Sequence, residues 1–271
     1  MMRSLWTGAS GMIAQQLNVD NIANNLANIN TTGYKKESME FKSLLYETIQ
    51  EQSTDSDGNP KPVGIQVGLG VRSAANTSQF TTGAFMETGN MWDFAIDGDG
   101  FFAVQTQNGD RIYTKNGSFQ VANGVDGMTL ATSDGQLVLD INGQPIIFPE
   151  DYNTAEISVD SGGHLYYPDD KDVMQPMNIQ IGLVQFKNPQ GLEKTAGSAY
   201  KETVSSGSAS WEVTEDVRKK SKVLQGYVEG SNVQAATEMV NLIIAQRAYE
   251  MNSKIITASD TMMQQANNLK Q

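Results

Sequence analysis

The chain of 271 residues contains no cysteine and a single histidine, His164. Without thiols it cannot form disulfide bonds, thiolate zinc sites or a cysteine nucleophile, and one histidine cannot build a histidine metal cluster. The sequence also has no G-x-S-x-G nucleophile motif and no Walker phosphate loop. We therefore expect a protein that is not an enzyme, with no catalytic residues, no cofactor and no metal.

Basic residues are scarce relative to acidic ones, and the net charge is −12. Residues 1–50 and residues 233–271 each carry equal numbers of acidic and basic side chains, so the whole excess lies in residues 51–232. An acidic middle without a basic stripe argues against nucleic acid as a partner. The neutral ends can pack densely in an assembly without repelling each other.

Long apolar runs are also missing. No run approaches the roughly 20 residues that cross a bilayer, so we predict no membrane insertion. Arg3 is followed by polar residues and glycine rather than by the apolar segment and cleavage site of a secretory signal. If the protein leaves the cytoplasm, we expect it to do so without a cleaved signal peptide.

Both ends of the chain have the apolar periodicity of amphipathic helices. Apolar residues recur at alternating spacings of four and three in residues 4–29, and at spacings of three or four in residues 233–269, which is typical of a coiled-coil seam. From periodicity alone, these seams could equally pack on the remainder of their own chain. The seam residues that we predict to form an assembly interface are Leu5, Ala9, Met12, Val19, Ala23, Leu26, Val240, Ile244, Ala248, Met251, Ile255, Met262 and Leu269.

The ends of these helices can also be predicted. Asn28 and Gly33 tolerate left-handed backbone angles, so the first helix should end near them. Ser231 and Gln234 form a capping-box pattern, which predicts that the second helix begins near Asn232. Two isolated amphipathic helices bury too little surface to offset the cost of ordering their backbone, about 1–2 kcal/mol per residue. We therefore expect both ends to be mobile in the monomer and to fold on assembly.

The middle of the chain has a different period. From about residue 79 to residue 183, short stretches rich in Phe, Val, Ile and Tyr alternate with Asn-Gly and Asp-Gly pairs, which are hairpin turn signals. The predicted fold class is α+β: terminal helices that pair as a coiled coil, with an inserted, mainly antiparallel β-domain. The predicted domains are 1–34 with 231–271 (terminal coiled coil), 35–75 with 201–230 (connecting region, with an extended arm at about 46–63) and 76–200 (β-rich outer domain).

Several weak motifs have plainer explanations. Residues 98–103 satisfy the G-x-G-x-x-A form of a dinucleotide fingerprint, but a strand should follow them where that fingerprint requires a helix. The acidic loop at 55–59 resembles half of a calcium loop but lacks its glutamate. Asp93, Asp97 and Asp99 could supply paired carboxylates for glycoside hydrolysis, yet acidic turn residues beside strands are common. The basic run at 218–222 is expected to be a solvated edge.

A resemblance to a known family is carried by three segments. Residues 1–42 resemble the start of flagellar rod and hook axial proteins, and residues 83–102 and 229–252 resemble later segments of the same family. Together these segments reach from one end of the chain to the other. The matching motif residues are Asn24, Asn25, Asn28, Asn30, Thr31, Gly33, Gly89, Asn90, Gly98, Gly100, Gln246, Arg247 and Tyr249.

Within that family, the opening Met-Met-Arg-Ser-Leu-Trp and residues 66–72 are most similar to subunits of the distal rod. Distal rod subunits carry an extra stretch that hook subunits lack, and residues 46–63 lie where that stretch would be. The resemblance implies a structural subunit that polymerises into a hollow helical drive shaft and transmits torque from the motor to the hook. Its implied location is the basal body in the cell envelope, in the periplasm if an outer membrane is present.

The resemblance also implies the partners. They would be further copies of the chain in a helical homopolymer, other rod subunits and the hook protein, ring or bushing proteins if an outer membrane is present, and the flagellar type III export apparatus. The alternatives are a proximal rod or hook subunit of the same family, a secreted binding module or adhesin with a helical stalk, and an envelope hydrolase that uses the aspartates near residue 97.

Overall fold

The computed structural model describes residues 2–50, 64–124, 127–149, 152–153, 156–168, 173–213 and 219–269. These residues fall into two units: one drawn from 1–27, 37–77 and 234–271, and one drawn from 28–36 and 78–233. Two long helices belong to the first unit, and most of the strands belong to the second. The predicted α+β fold class is confirmed, whereas the predicted division into terminal, connecting and outer domains stays a prediction.

The two helices of the first unit lie at the two ends of the chain. Helix α1 spans Met2–Ala27 and helix α2 spans Ala235–Asn268. Over its 34 residues α2 contains neither glycine nor proline, the two residues that most disfavour a helix interior. The helices pack along each other within this unit. The predicted end of α1 is confirmed, since the chain leaves the helix after Ala27 and Gly33 adopts a φ of 67°.

The predicted start of α2 is wrong. The helix begins at Ala235 rather than near Asn232, and its N-cap residue Gln234 makes no capping hydrogen bond with its side chain. Asn232 instead donates through Nδ2 to the backbone oxygen and to Oγ1 of Thr81 at 3.1 and 2.8 Å. These bonds lie within the second unit and hold residue 232 outside the helix, so tertiary contacts override the local capping pattern.

The first unit also contains two pairs of strands. Strand β1 (Glu37–Ser43) pairs with β4 (Val71–Ser78), and β2 (Tyr46–Gln50) pairs with β3 (Ile65–Gly68) in an antiparallel register. The predicted arm at 46–63 therefore starts as a strand, and its residues 51–63 lie outside the described part of the chain.

The second unit is built from antiparallel strands. The strands are β5 Phe85–Glu87, β6 Phe94–Asp97, β7 Phe101–Gln105, β8 Arg111–Thr114, β9 Phe119–Gly124, β10 Gly127–Thr132, β11 Leu137–Val138, β12 Ile147–Phe148, β13 Ser158–Val159, β14 His164–Pro168, β15 Met174–Gln180, β16 Leu183–Gln185, β17 Glu193–Lys194, β18 Ala199–Lys201, β19 Ser210–Trp211, β20 Lys222–Gln225 and β21 Tyr227–Glu229.

Among the described residues, the largest sheet has ten strands. Seven of them follow the order β12-β10-β11-β7-β8-β18-β17; β9 pairs with β10, and β16 pairs with β7 and β19. A three-stranded sheet has the order β13-β14-β15, and two further pairs are β20 with β6 and β21 with β5.

Strand β7 shows how this unit is packed. Successive side chains of a strand point to opposite faces of the sheet. Phe102 and Val104 belong to one hydrophobic cluster, whereas Phe101 and Ala103 belong to another, and all four are buried. Because both faces of β7 are covered, its sequence is a continuous apolar run rather than an alternating one. The second unit therefore has its own substantial core.

Candidate assembly interface

The contact between α1 and α2 includes several small and polar residues. Ser4 Oγ and Ser259 Oγ lie 3.0 Å apart, and Asn25 Nδ2 donates to Glu238 Oε2 at 3.3 Å. These pairs lie at opposite ends of the contact, so the two helices run antiparallel. Both Ser259 and Glu238 are buried.

Two glycines allow the helices to approach closely. A Cβ atom on Gly8 would lie 3.0 Å from Cγ1 of Ile256, and one on Gly11 would lie 2.8 Å from Nδ2 of Asn252. Each glycine costs a helix interior roughly 0.5–1 kcal/mol relative to alanine. Their presence inside α1 is explained by the space that α2 occupies at these positions.

This contact buries little apolar surface. Among the described residues of α1 and α2, the buried hydrophobic side chains are Ala14, Ile22 and Ala245. Alanine contributes a single methyl group, and only Ile22 adds a large apolar side chain. Burial of one such side chain stabilises by about 1.5–3 kcal/mol, so this contact alone provides weak support for 60 helical residues.

Six large apolar side chains on one side of α2 and at its C-cap are exposed to solvent. They recur at intervals of four and seven residues, which places them on one side of the helix. We call them the apolar stripe: Val240, Ile244, Met251, Ile255, Met262 and the C-cap residue Leu269. On α1, Trp6, Ile13 and Leu17 are also exposed.

Most of the predicted interface residues on α2 are therefore exposed rather than buried between the two helices. Six of the seven on α2 form the apolar stripe, and Ala248 is partly buried. On α1, Ala23 is exposed and the others, Leu5, Ala9, Met12, Val19 and Leu26, are partly buried. Whether these residues form an assembly interface stays a prediction, and the structure leaves most of the stripe available for it.

Apolar periodicity did not reveal the residues that do join the helices. Gly8, Gly11, Asn25, Glu238 and Ser259 are small or polar, and a search for apolar side chains passes over them. The signal that could have found them is the three-and-four spacing of small residues at positions 4, 8 and 11, which permits close helix packing.

Motif residues line a groove on the surface of the helix pair. The groove has a volume of about 410 Å³ and is lined by Gln16 and Val19 of α1 and by Gln246, Tyr249 and Glu250 of α2. Two of these residues, Gln246 and Tyr249, carry the family resemblance. A third motif residue, Arg247, forms an exposed ion pair with Glu250 at 3.0 Å. These side chains therefore lie on the outside of the helix pair.

The strand pair β2–β3 adds a second exposed apolar surface to the first unit. Leu45, Tyr46, Ile49 and Ile65 are all more than half exposed. A two-stranded ribbon is marginally stable by itself in water. Much of the apolar surface of this ribbon, like that of the helices, is therefore uncovered in the single chain.

The motif residues in the last turn of α1 and after it have identifiable structural roles. Asn25 accepts a hydrogen bond from the backbone N–H of Glu37 and donates to the backbone oxygen of the same residue, both at 2.9 Å. Gly33 donates its backbone N–H to the oxygen of Glu229 at 2.8 Å, and a Cβ atom at Gly33 would lie 2.5 Å from the backbone nitrogen of Asn116. Thr31 Oγ1 donates to Asn28 Oδ1 at 3.1 Å.

A buried ion pair holds the segment after Gly33 within the second unit. Lys35 Nζ lies 2.6 Å from Glu229 Oε1, and neither side chain is exposed. Lys35 also donates to the backbone oxygen of Thr81 at 2.8 Å, and the Gly83 N–H donates to Glu229 Oε1 at 2.7 Å. These bonds compensate part of the cost of burying two charges.

A second lysine, Lys115, is buried close to this pair. Its Nζ donates to the backbone oxygen of Gly98 at 2.8 Å and lies 5.2 Å from the centre of the Phe101 ring. Burial lowers the pKa of Lys115 from 10.5 to about 8, and the positive charge of Lys35 also lowers it, against the raising effect of Glu229. The lowered pKa is explained by structural burial, and nothing around it requires a chemical role.

The remaining motif glycines lie in the segments between strands. Gly89 and Gly98 have positive φ angles of 69° and 148°. Gly100 donates its N–H to Ser221 Oγ at 2.9 Å, and a Cβ atom there would lie 2.6 Å from Glu212 Oε1. Asn90 accepts a hydrogen bond from the Trp92 N–H, and Asn24 and Asn30 are exposed, Asn30 in the turn after α1.

The weak sequence motifs that lie in the described residues have ordinary structural explanations. Residues 98–103 form a glycine turn that leads into strand β7 and not into a helix. Asp93 is buried and accepts a hydrogen bond from Thr88 Oγ1 at 2.6 Å, whereas Asp97 is exposed. His164 is an exposed residue at the start of β14. The acidic loop at 55–59 lies outside the described residues, as does Arg218 of the basic run.

No helix among the described residues is long and apolar enough to cross a membrane. Three family descriptions match successive parts of the chain. Residues 5–35 match "Flagella basal body rod protein", residues 95–167 match "Flagellar hook protein FlgE/F/G D1 domain", and residues 224–269 match "Flagellar basal body rod FlgEFG protein C-terminal".

Curated relatives match over the full length. The chain is 43% identical to the flagellar basal-body rod protein FlgG of Borreliella burgdorferi, across 100% of this chain and 99% of that protein. It is 38% identical to FlgG of Bacillus subtilis and 28% identical to the flagellar hook-basal body complex protein FlhP of the same organism, each across 100% of both chains. The FlgG relatives are structural rod proteins and their family is not known to be enzymatic, so an adhesin or hydrolase is not favoured. The chain belongs to the FlgG family of flagellar basal-body rod proteins.

Proposed function

We propose that this chain is a structural subunit of the distal part of the flagellar rod. In this proposal, copies of the chain polymerise into a hollow helical shaft that transmits torque from the motor to the hook. Membership of the FlgG family supports a structural rod subunit that assembles with other rod and hook subunits.

The apolar stripe is the main observation that supports this proposal. Five of its six residues are valine, isoleucine or methionine at regular spacing on one face, and Leu269 extends the face to the end of the helix. Each large apolar side chain that becomes buried stabilises an assembly by about 1.5–3 kcal/mol. A stripe of six such residues is a large unused driving force, and few monomeric proteins leave one uncovered.

We propose that further copies of the same chain cover the stripe. Within residues 233–271 acidic and basic side chains are equal in number, so copies can stack on one another without accumulating repulsion. The stripe is also regularly spaced at coiled-coil intervals, which suits a second helix better than a small ligand. The exposed ribbon β2–β3 provides a second surface for contacts between copies.

We propose that the subunit is exported uncleaved by the flagellar type III apparatus and reaches the basal body in the cell envelope. Ring or bushing proteins would surround the rod where an outer membrane is present. The acidic excess of residues 51–232 would then lie on the outside of the shaft, since the neutral ends are the parts that pack together.

The test is a charge placed in the apolar stripe. Ile255→Asp introduces a carboxylate that must be buried without a partner when copies pack, so assembly should be lost. The matched control is Thr257→Asp, which places the same charge on a polar exposed face of the same helix, near Glu250 and Lys254. Motility in complemented cells and sedimentation of the purified chain would be measured for both variants.

We expect Ile255→Asp to abolish rods and swimming while the second unit keeps its near-ultraviolet circular dichroism. Thr257→Asp should swim. Normal rods and swimming with Ile255→Asp would rule out the stripe as the contact between copies. Equal loss in both variants would show that a charge anywhere on α2 is damaging, and it would also contradict the assignment.

A further inference from the structure

Two methionines lie on the apolar stripe and are open to solvent. Met251 is 59% exposed and Met262 is 50% exposed. They are eleven residues apart, which is about three helical turns, so both point to the same side of α2. They are the only residues of the stripe whose side chains react with mild oxidants. The stripe therefore carries two thioethers in positions where assembly would bury them.

We propose that Met251 and Met262 form an oxidation-sensitive site that controls assembly. The oxidant is a hydroperoxide, with hydrogen peroxide as the simplest member. The thioether sulfur attacks one peroxide oxygen, an S–O bond forms and the O–O bond breaks. Sulfur gives up two electrons, and the departing hydroxide takes up the remaining proton to become water, so each sulfoxide formed consumes one peroxide.

Oxidation changes the stripe from apolar to polar. A sulfoxide oxygen is a strong hydrogen-bond acceptor, and burying an acceptor without a donor is costly. The other stripe residues nearest in sequence, Ile244 and Ile255, have hydrocarbon side chains and can donate no hydrogen bond. A second copy that packs on an oxidised stripe would bury two polar oxygens in an apolar contact. This step rests on the proposed function of the stripe.

The same chain supplies methionines that serve as controls. Met239 is 53% exposed on α2 but lies off the stripe spacing, and Met86 and Met174 are exposed in the second unit. Peroxide should oxidise these as readily as the stripe methionines, because exposure governs access to the thioether. If the site is specific, their oxidation leaves assembly unchanged. In an assembled rod, Met251 and Met262 should be protected while Met86 and Met174 remain reactive.

The experiment treats the full-length chain with millimolar hydrogen peroxide before assembly. Peptide mass spectrometry measures sulfoxide at each methionine, and sedimentation measures the critical concentration for polymerisation. The key variant is the double substitution Met251→Leu with Met262→Leu, which keeps the apolar character but removes both thioethers. Met239→Leu is the matched control on the same helix. Untreated samples of every variant show whether the chain polymerises at all, which separates this proposal from the proposed function.

We expect peroxide to raise the critical concentration of the wild-type chain at least about tenfold, a factor that corresponds to 1.4 kcal/mol. Met239→Leu should respond in the same way, whereas the double variant should polymerise normally after treatment. A sulfoxide reductase should restore assembly of the oxidised wild type. Unchanged assembly of wild-type chain with both stripe methionines oxidised would overturn the proposal. Equal inhibition of the double variant would also overturn it, because another residue would then be responsible.

Discussion

Gly33, a residue of the family motif, lies at a backbone position that has no room for a Cβ atom. Its φ angle of 67° is unfavourable for any residue with a Cβ atom, and the space where that atom would lie is occupied by the backbone of Asn116. The sequence alone predicted that Gly33 lies where the chain leaves the first helix. It could not predict the contact with residue 116, because that contact joins positions far apart in the sequence.

Gly33→Ala should therefore destabilise the second unit more than a matched glycine substitution. Gly89 has nearly the same φ, 69°, but nothing lies within 4 Å of an added Cβ atom. Gly89→Ala should cost about 1–2 kcal/mol of unfolding free energy from backbone strain alone. Gly33→Ala carries this cost together with the clash. Urea unfolding of both variants tests the difference, and equal losses would show that the contact with Asn116 relaxes without cost.

The free energy of unfolding should depend on pH through Lys115. Its pKa is about 8 in the folded chain against an ordinary value of 10.5. At pH values between 8 and 10.5, the Lys115 amine is mostly protonated in the unfolded chain and mostly deprotonated in the folded chain. The free energy of unfolding contributed by this group therefore rises with pH from 8 to 10.5. The rise amounts to about 3 kcal/mol at 1.36 kcal/mol per pKa unit.

Lys115→Met removes the titrating group and keeps a long apolar stem. Urea unfolding of wild type and variant at several pH values between 7 and 11 measures the difference between them. We expect the wild type to gain stability relative to the variant as the pH rises from 8. Parallel curves across this range would mean that Lys115 keeps its ordinary pKa in the folded chain.

At the scale of elements, the sequence predicted the existence of the helices better than it predicted their contacts. The apolar periodicity of residues 4–29 and 233–269 matches the extents of α1 and α2 except at the start of α2. The start of α2 was missed because Asn232 hydrogen-bonds to Thr81, more than a hundred residues away. Local pattern cannot reveal such a bond.

The contact face of the helices was missed for a related reason. Apolar residues mark the surface that needs the most burial, and in this chain that surface is the apolar stripe. Several residues that join α1 to α2 are glycine, serine, asparagine and glutamate, which an apolar periodicity does not mark. The strands were easier to predict. The run 101–104 is apolar at every position, and β7 has both faces buried.

At the scale of the whole molecule, the chain combines a well-buried β unit with a helical unit that has little buried apolar surface. The second unit has two hydrophobic clusters and buried ion pairing, whereas α1 and α2 bury few apolar side chains. Stability within a protein follows the local density of buried contacts. The helical unit of a single chain should therefore open far more easily than the β unit, and covering the apolar stripe should remove that difference.

Hydrogen exchange on the dilute full-length chain and on assembled rods measures this directly. In the dilute chain, amides of α1 and α2 should exchange quickly while those of β7 and β8 remain protected. In assembled rods, both helices should become as slow as the strands. Strong protection of residues 4–29 in the dilute chain, unchanged on assembly, would contradict the view that further copies of the chain order its two ends.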